Sequence, residues 1–384
     1  MADAPASPEA PARDAARTDT EQRLRDLEAR LKQLAAAIEE LRREGTGSSS
    51  SKIAELEKQI EALTREIERL RMGEAAAPSA DRSEHGLGPA ASKVYRVQGG
   101  VSLGGYGEMI YRDFSRGDDS GAPSGADDRL DLLRAVFYFG YKWSDRILFN
   151  SEIEFEHATT GEGDEEKGEV SVEFAYLDFL VKKGFNVRGG LLLIPVGILN
   201  EMHEPTTFAG VLRPGVESLI LPTTWRENGA GVFGETGWLA YRVYLVAGLD
   251  AAGFSGEEGL REGRQGGSAS LANSFAWTGR LDVTRVPGLV AGVAAYRGDS
   301  DQGQMAADAT VETLDLHAQY AWRGFEGRVL WARVEVDDTA EINQLLGFLP
   351  LSGDSIGQRM KGWYVQAAWD ILSLREGSQH QLAP

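Results

Sequence analysis

From Leu24 onward, apolar residues recur in alternating steps of three and four. They fall at Leu24, Leu27, Leu31, Leu34, Ile38 and Leu41, and again at Ile53, Leu56, Ile60, Leu63, Ile67 and Leu70. This is the a/d seam of a coiled coil, with Ile at a and Leu at d in the second run and Glu, Lys and Arg over much of the remainder. Gly45-Thr46-Gly47 and the serines after it separate the runs. The first seam projects to Lys52 rather than Ile53, so the register slips by one and the interruption is real. Either each run pairs with copies from other subunits, or the chain turns over residues 45–51 into an antiparallel helical hairpin. The expected layout is a flexible tail over 1–19, a coiled coil over 20–72 and an Ala/Gly/Ser/Pro-rich linker over 73–93.

Past Lys93 the period changes to two. Ile147, Phe149, Ser151, Ile153 and Phe155 alternate with Leu148, Asn150, Glu152, Glu154 and Glu156, and similar runs surround Trp277, Leu316 and Val365. Such segments are strands with one apolar and one polar face. About twelve are predicted, near 97–112, 129–142, 145–158, 169–182, 185–194, 229–237, 238–250, 273–285, 289–297, 310–323, 325–336 and 359–372. Tight turns such as Lys182-Lys183-Gly184 and Val286-Pro287-Gly288 alternate with long polar segments. Short turns on one side and long loops on the other are the pattern of an outer-membrane barrel. Several strands are long enough to cross a bilayer at a tilt, which a sandwich of short strands does not require. Aromatics near strand ends, among them Trp143, Trp238, Trp322 and Trp363, suit interfacial girdles. The expected fold class is therefore mainly β: a transmembrane antiparallel β-barrel over 94–384, preceded by an α-helical coiled coil. The end of the sequence, Leu382-Ala383-Pro384, reads as the onset of a further strand, so the barrel is expected to continue beyond it.

Between the apolar run ending at Pro195 and the one opening after Asn228 lies a stretch without strand or helix period, dense in Glu, Arg, His and Asn. A structureless insertion of that length inside a regular domain is usually functional.

Composition narrows the classes. The 384 residues carry a formal net charge of −19 and a pI near 4.8, which argues against a nucleic-acid surface. Beyond Lys93 there are 25 basic and 41 acidic residues. Cysteine is absent, as suits an oxidising periplasm. No run of about 18 apolar residues forms a membrane helix, and a mean hydropathy of −0.30 is compatible with barrel strands. The N-terminus has no basic and apolar signal pattern and resembles a mature chain with a start Met restored.

Residues 98–382 resemble the phosphate-selective porin O and P-like family of bacterial outer-membrane porins. The resemblance rests on Gly104-Gly105-Tyr106-Gly107-Glu108, on Phe174 to Phe179, and above all on Pro195-Val196-Gly197, Asn200 to Pro205, Arg213-Pro214 and Leu221 to Glu227. It implies a trimeric porin of about sixteen strands with periplasmic coiled coils. Anion selectivity would require a ladder of inward Lys and Arg, and none stands out, so phosphate is not carried over.

Candidate constriction residues are Glu201, His203, Glu204, Arg213, Glu217, Arg226 and Glu227; candidate lining residues are Arg134, Glu152, Glu154, Arg242, Arg280, Asp282 and Asp315. Glu201, His203 and Glu204 form only a weak divalent-cation set, so loop-anchoring hydrogen bonds are preferred. Arg213, Arg226, Glu217 and Glu227 either set a transverse field or pair to hold the loop. Acidic residues Glu162 to Glu166 are read as a solvated loop ahead of a calcium site. No nucleophile–base pair is present, so no enzyme activity and no cofactor are expected. The expected role is a passive diffusion channel for small hydrophilic solutes, narrowed by loop 195–228. The alternative is a structural outer-membrane protein with a plugged barrel, linked to the cell wall through the coiled coil. Expected partners are outer-membrane lipids, two further copies in a homotrimer, and peptidoglycan or periplasmic proteins at the coiled coil.

Overall fold

The computed structural model describes residues 9–44, 49–75, 83–117, 120–158, 168–349 and 352–374; the acidic Glu162–Glu166 loop and the tail after Leu374 lie outside them. The chain divides into two compact units, one helical and one built on a sheet.

In the helical unit, α1 (Glu9–Glu44) and α2 (Ser49–Ala75) lie antiparallel. Arg23 pairs with Glu66 at 2.9 Å and Arg42 with Glu57 at 3.1 Å, which fixes the direction. Leu24, Ile38 and Ile67 are buried, at seam positions. The two described helices run antiparallel, as the hairpin alternative requires; residues 45–48 of the expected turn lie outside the described residues. Helix α1 begins at Glu9, ahead of residue 20.

Among the described residues the sheet unit has twelve strands: β1 (Gly100–Arg112), β2 (Arg129–Ser144), β3 (Ile147–Glu156), β4 (Val170–Lys182), β5 (Phe185–Leu193), β6 (Arg226–Thr236), β7 (Leu239–Ala247), β8 (Phe275–Val283), β9 (Leu289–Gly298), β10 (Val311–Trp322), β11 (Phe325–Val336) and β12 (Arg359–Trp369). Each pairs antiparallel with its sequence neighbour in one meander, so β1 and β12 have one partner each among the described residues. A one-turn helix, α3 (Lys93–Arg96), precedes β1, and α4 (Thr339–Leu345) sits in the last long connection. Strand β6 starts at Arg226, ahead of the expected Gly229, because Arg226, Glu227 and Asn228 pair with Leu193, Leu192 and Leu191. Their charges read as loop in the sequence, yet they lie on a strand.

The two faces of the sheet invert the usual pattern of a water-soluble protein. Trp363 is 68% exposed and Val365 63%, as are many residues of the apolar period, whereas Glu152, Asp178 and Asp315 are wholly buried. Buried charge is tolerated only when paired. Arg188 on β5 grips Asp178 on β4 with two bonds of 2.8 and 2.9 Å, and its guanidinium lies over the rings of Tyr176 and Phe233.

Substituting Arg188 by Ala is expected to cost roughly 3–5 kcal/mol, since it strands the Asp178 carboxylate. Equilibrium unfolding in detergent checks this. Replacing Arg188 and Asp178 together by Leu is expected to recover most of the loss; equal damage from single and double variants would refute the pairing argument.

Candidate functional site

The long insertion between β5 and β6 folds onto the polar, inward face of the sheet. Ile194, Val196, Ile198, Leu199, Leu221 and Trp225 are buried, forming an apolar seed for the loop. Asn200 closes its two ends: its amide donates to the carbonyls of Ile194 (2.7 Å) and Trp225 (2.9 Å), while its oxygen accepts the Trp225 N–H at 2.7 Å. Gly197 takes a left-handed φ of 77°, open to glycine at little cost, and a Cβ there would lie 2.5 Å from the Glu217 carboxylate.

The loop is fastened to strands along most of the sheet. His203 Nε2 meets Glu152 of β3 at 3.1 Å. Glu201 pairs with Arg242 of β7 at 2.9 Å. The Gly197 N–H donates to Asp315 of β10 at 2.8 Å, and the Gly197 carbonyl accepts from Arg280 of β8. Glu217 accepts from the Leu199 N–H at 2.7 Å and from the hydroxyl of Tyr364 on β12. Glu204 turns the other way and accepts from the N–H groups of Ala90 (2.9 Å) and Ala91 (3.1 Å).

Glu201, His203 and Glu204 therefore diverge to three different partners. Of the four charges weighed for a transverse field, three are engaged separately. Arg226 reaches Glu173 of β4 at 3.0 Å, Glu227 accepts from the Gln265 N–H at 3.0 Å, and Glu217 is held as described. Arg213 stands over the Phe208 ring at 5.5 Å and has no ion-pair partner among the described residues. Burial, followed by nearby Arg134, lowers its pKa. Burial likewise pushes the Glu217 carboxyl up, against the Leu199 N–H and Tyr364 hydroxyl that hold it down.

The candidate lining residues all lie on the inward face in separate paired clusters. Arg134 bridges Glu108 and Glu154, each at 2.9 Å. Asp282 collects Arg280 at 2.8 Å, Arg242 at 3.2 Å and His317 at 2.9 Å, and His317 continues to Asp315 at 2.6 Å. Sequence reasoning missed Asp178, Arg188, Glu173, His317 and Tyr364. The period of two contained the signal for Asp178, Arg188, His317 and Tyr364, which keep step with the less exposed positions of their own strands, whereas Glu173 is the extra residue of a bulge between the pairs Glu152–Phe174 and Ile153–Val172.

Residues 83–97, assigned largely to a flexible linker, are instead packed on this same face. Leu87, Ala91, Val94 and Val97 are buried. Asn150 of β3 donates to the Ala91 carbonyl at 2.9 Å, Lys142 of β2 to that of Val97 at 2.9 Å, and Tyr95 donates to Asp178 at 2.7 Å. A cavity of about 270 Å³ remains toward the short-turn side, bordered by Ser83, Ile198, Met202, Arg242, Arg280 and Gln319.

Burial opposes charge on His203, but the field and hydrogen bond of Glu152 outweigh it and hold the imidazole pKa above its ordinary 6.5; Arg213 opposes and Glu173 assists. A raised folded pKa means that this contribution to stability is complete below the unfolded value and fades as pH rises through the folded one. The melting temperature in detergent is expected to fall across that interval. Glu152→Gln is expected to remove that part of the slope; an unchanged slope would refute the assignment.

No family model matches the sequence. Among solved structures, the chain is similar to an anion-selective porin from Comamonas acidovorans, at 12% identity and a TM-score of 0.42 over 71% of this chain and 74% of that one. It is also similar to the outer membrane channel DcaP of Acinetobacter baumannii, at 11% identity and a TM-score of 0.35 over 71% and 87%. A third is OmpTdeltaL8, a loop L8 deletion mutant of the Vibrio cholerae outer membrane protein OmpT, at 9% identity and a TM-score of 0.36 over 71% and 89%. An uncharacterized protein of Aquifex aeolicus (strain VF5) is 41% identical over 306 residues, which span 78% of this chain and 68% of that protein. The chain belongs to the same family as this Aquifex aeolicus protein.

Proposed function

We propose that the sheet unit is an outer-membrane β-barrel channel for passive diffusion of small hydrophilic solutes or ions, with the loop after β5 as its constriction. The observation that carries this reading is the inverted sheet: its outward face is apolar and its inward face is a network of paired charges. An apolar outer face needs lipid, and a polar inner face needs water or polar protein. The loop lies on that polar face, fastened to β3, β7, β8, β10 and β12. In this reading the barrel is a homotrimer in outer-membrane lipid, and the helical unit stands in the periplasm, where it meets peptidoglycan or periplasmic proteins.

The charge content supports weak cation preference or none. The lining charges are mostly paired, and the 25 basic and 41 acidic residues beyond Lys93 leave an acidic excess. A second reading, a structural outer-membrane protein with a plugged barrel, is favoured by one observation: residues 83–97 and the constriction loop both occupy the inward face.

Purified protein in planar bilayers is expected to give discrete conductance steps, and the reversal potential in a salt gradient is expected to lie near zero or slightly toward cations. Folded protein without conductance would favour the plugged reading; a strong anion preference would show that Arg213 outweighs the acidic wall. Leu245→Arg places a charge on the outward face of β7. It is expected to cost up to about 2–4 kcal/mol in lipid, read as a lowered folding free energy in vesicles, if Leu245 lies near the bilayer midplane.

A further inference from the structure

The segment ahead of β1 is too well built to be a linker. Between Ser83 and Val97 it makes side-chain or backbone bonds to β1, β2, β3 and β4 and to the constriction loop. Lys93 donates to the Leu103 carbonyl at 2.8 Å, and Arg188 of β5 donates to the Tyr95 hydroxyl at 2.8 Å. At its start, His85 packs edge-on against Phe233 of β6, with ring centroids 5.0 Å apart. Its closest approach to the loop is at Glu204, where Gly88 leaves room: a Cβ there would lie 2.2 Å from the carboxylate oxygen. That same oxygen accepts both the Ala90 and Ala91 N–H groups, so one carboxylate joins the two segments. The cavity that remains has Ser83 on one border and Ile198 and Met202 of the loop on another.

We propose that residues 83–97 are the second wall of the constriction, and that Glu204 is the positioning residue that holds the loop against it. The inference rests on the channel reading. The loop supplies one side of the narrow passage and this strap the other. The strap fills the inward face over β1 to β5, which leaves the open path on the side of β7, β8 and β10. Because the strap runs directly into β1, its position is set by the sheet and does not require the helical unit.

Single-channel conductance of the full chain tests this. Glu204→Ala, which removes the acceptor, and Gly88→Val, which displaces it, are each expected to raise conductance by about 1.5-fold or more, with noisier open current. Glu204→Gln keeps a carbonyl oxygen facing the two N–H groups and is expected to conduct as the unmodified protein does. Native conductance in both loosening variants, with folded migration on unheated gels, would overturn the strap while leaving the channel intact. A silent unmodified protein would instead remove the channel reading and this inference with it. Should the loosening variants fail to fold, Ser83→Cys decides. The chain has no other cysteine, so a bulky thiol reagent labels only the border of the open path. Labelling is expected to reduce the current, and an unchanged current would overturn the proposal.

Discussion

Every charge that the sheet turns inward has to be neutralised where it stands, and the rest of the structure follows from that requirement. Glu152, Asp178 and Asp315 are sealed from solvent, and an unpaired carboxylate in such a place would protonate or unfold its surroundings. The wall does not solve this alone. Arg188 and Arg134 satisfy Asp178 and Glu154 across neighbouring strands, but Glu152 takes a histidine from the loop, Arg242 a glutamate from the loop, and Asp315 a loop N–H. The loop and the wall therefore complete each other's electrostatics. A loop held in this way is positioned by several buried bonds at once; leaving the inward face would take from Glu152 its histidine, while Arg242 would keep Asp282 and Asp315 would keep His317.

The same logic explains the order of the contacts. Gly197 bonds to β8 and β10, Glu201 to β7, His203 to β3 and Glu204 to the strap, so a short run of residues reaches across the inward face. Such a bridge is rigid where the bonds converge. Arg213, farther along the loop, lies over the Phe208 ring and pairs with no carboxylate among the described residues.

The strands were legible in the sequence because a period of two with an apolar and a charged face is a strong signal, and all twelve appear in a single meander. The inward candidates were legible for the same reason: once Glu152 and Glu154 share a face, so do Arg134 and Asp282 on their own strands. Two features were hidden. Arg226 and Glu227 look like loop residues because their charge obscures their place in β6. The strap looks like a linker because Gly86, Gly88, Pro89, Ala90 and Ala91 continue the Ala/Gly/Ser/Pro-rich composition of the stretch before it. Its small residues serve close packing, as Gly88 against Glu204 shows, and local composition cannot distinguish that from flexibility. Leu87, Val94 and Val97 were the available clue, since a solvated linker has no use for them. The direction of the helical pair was likewise undetermined, because the heptad seam is the same for a hairpin and for an assembly.

The central claim is that this sheet wears its apolar face outward against lipid and its charges inward. It is tested most directly by tryptophan quenching in bilayers of brominated lipid, using variants that keep one tryptophan each. Trp363 is 68% exposed on the outward face of β12, and Trp225 is 1% exposed at the end of the loop. The account predicts strong quenching of Trp363 and little of Trp225; equal quenching of the two, or none of Trp363, would contradict it.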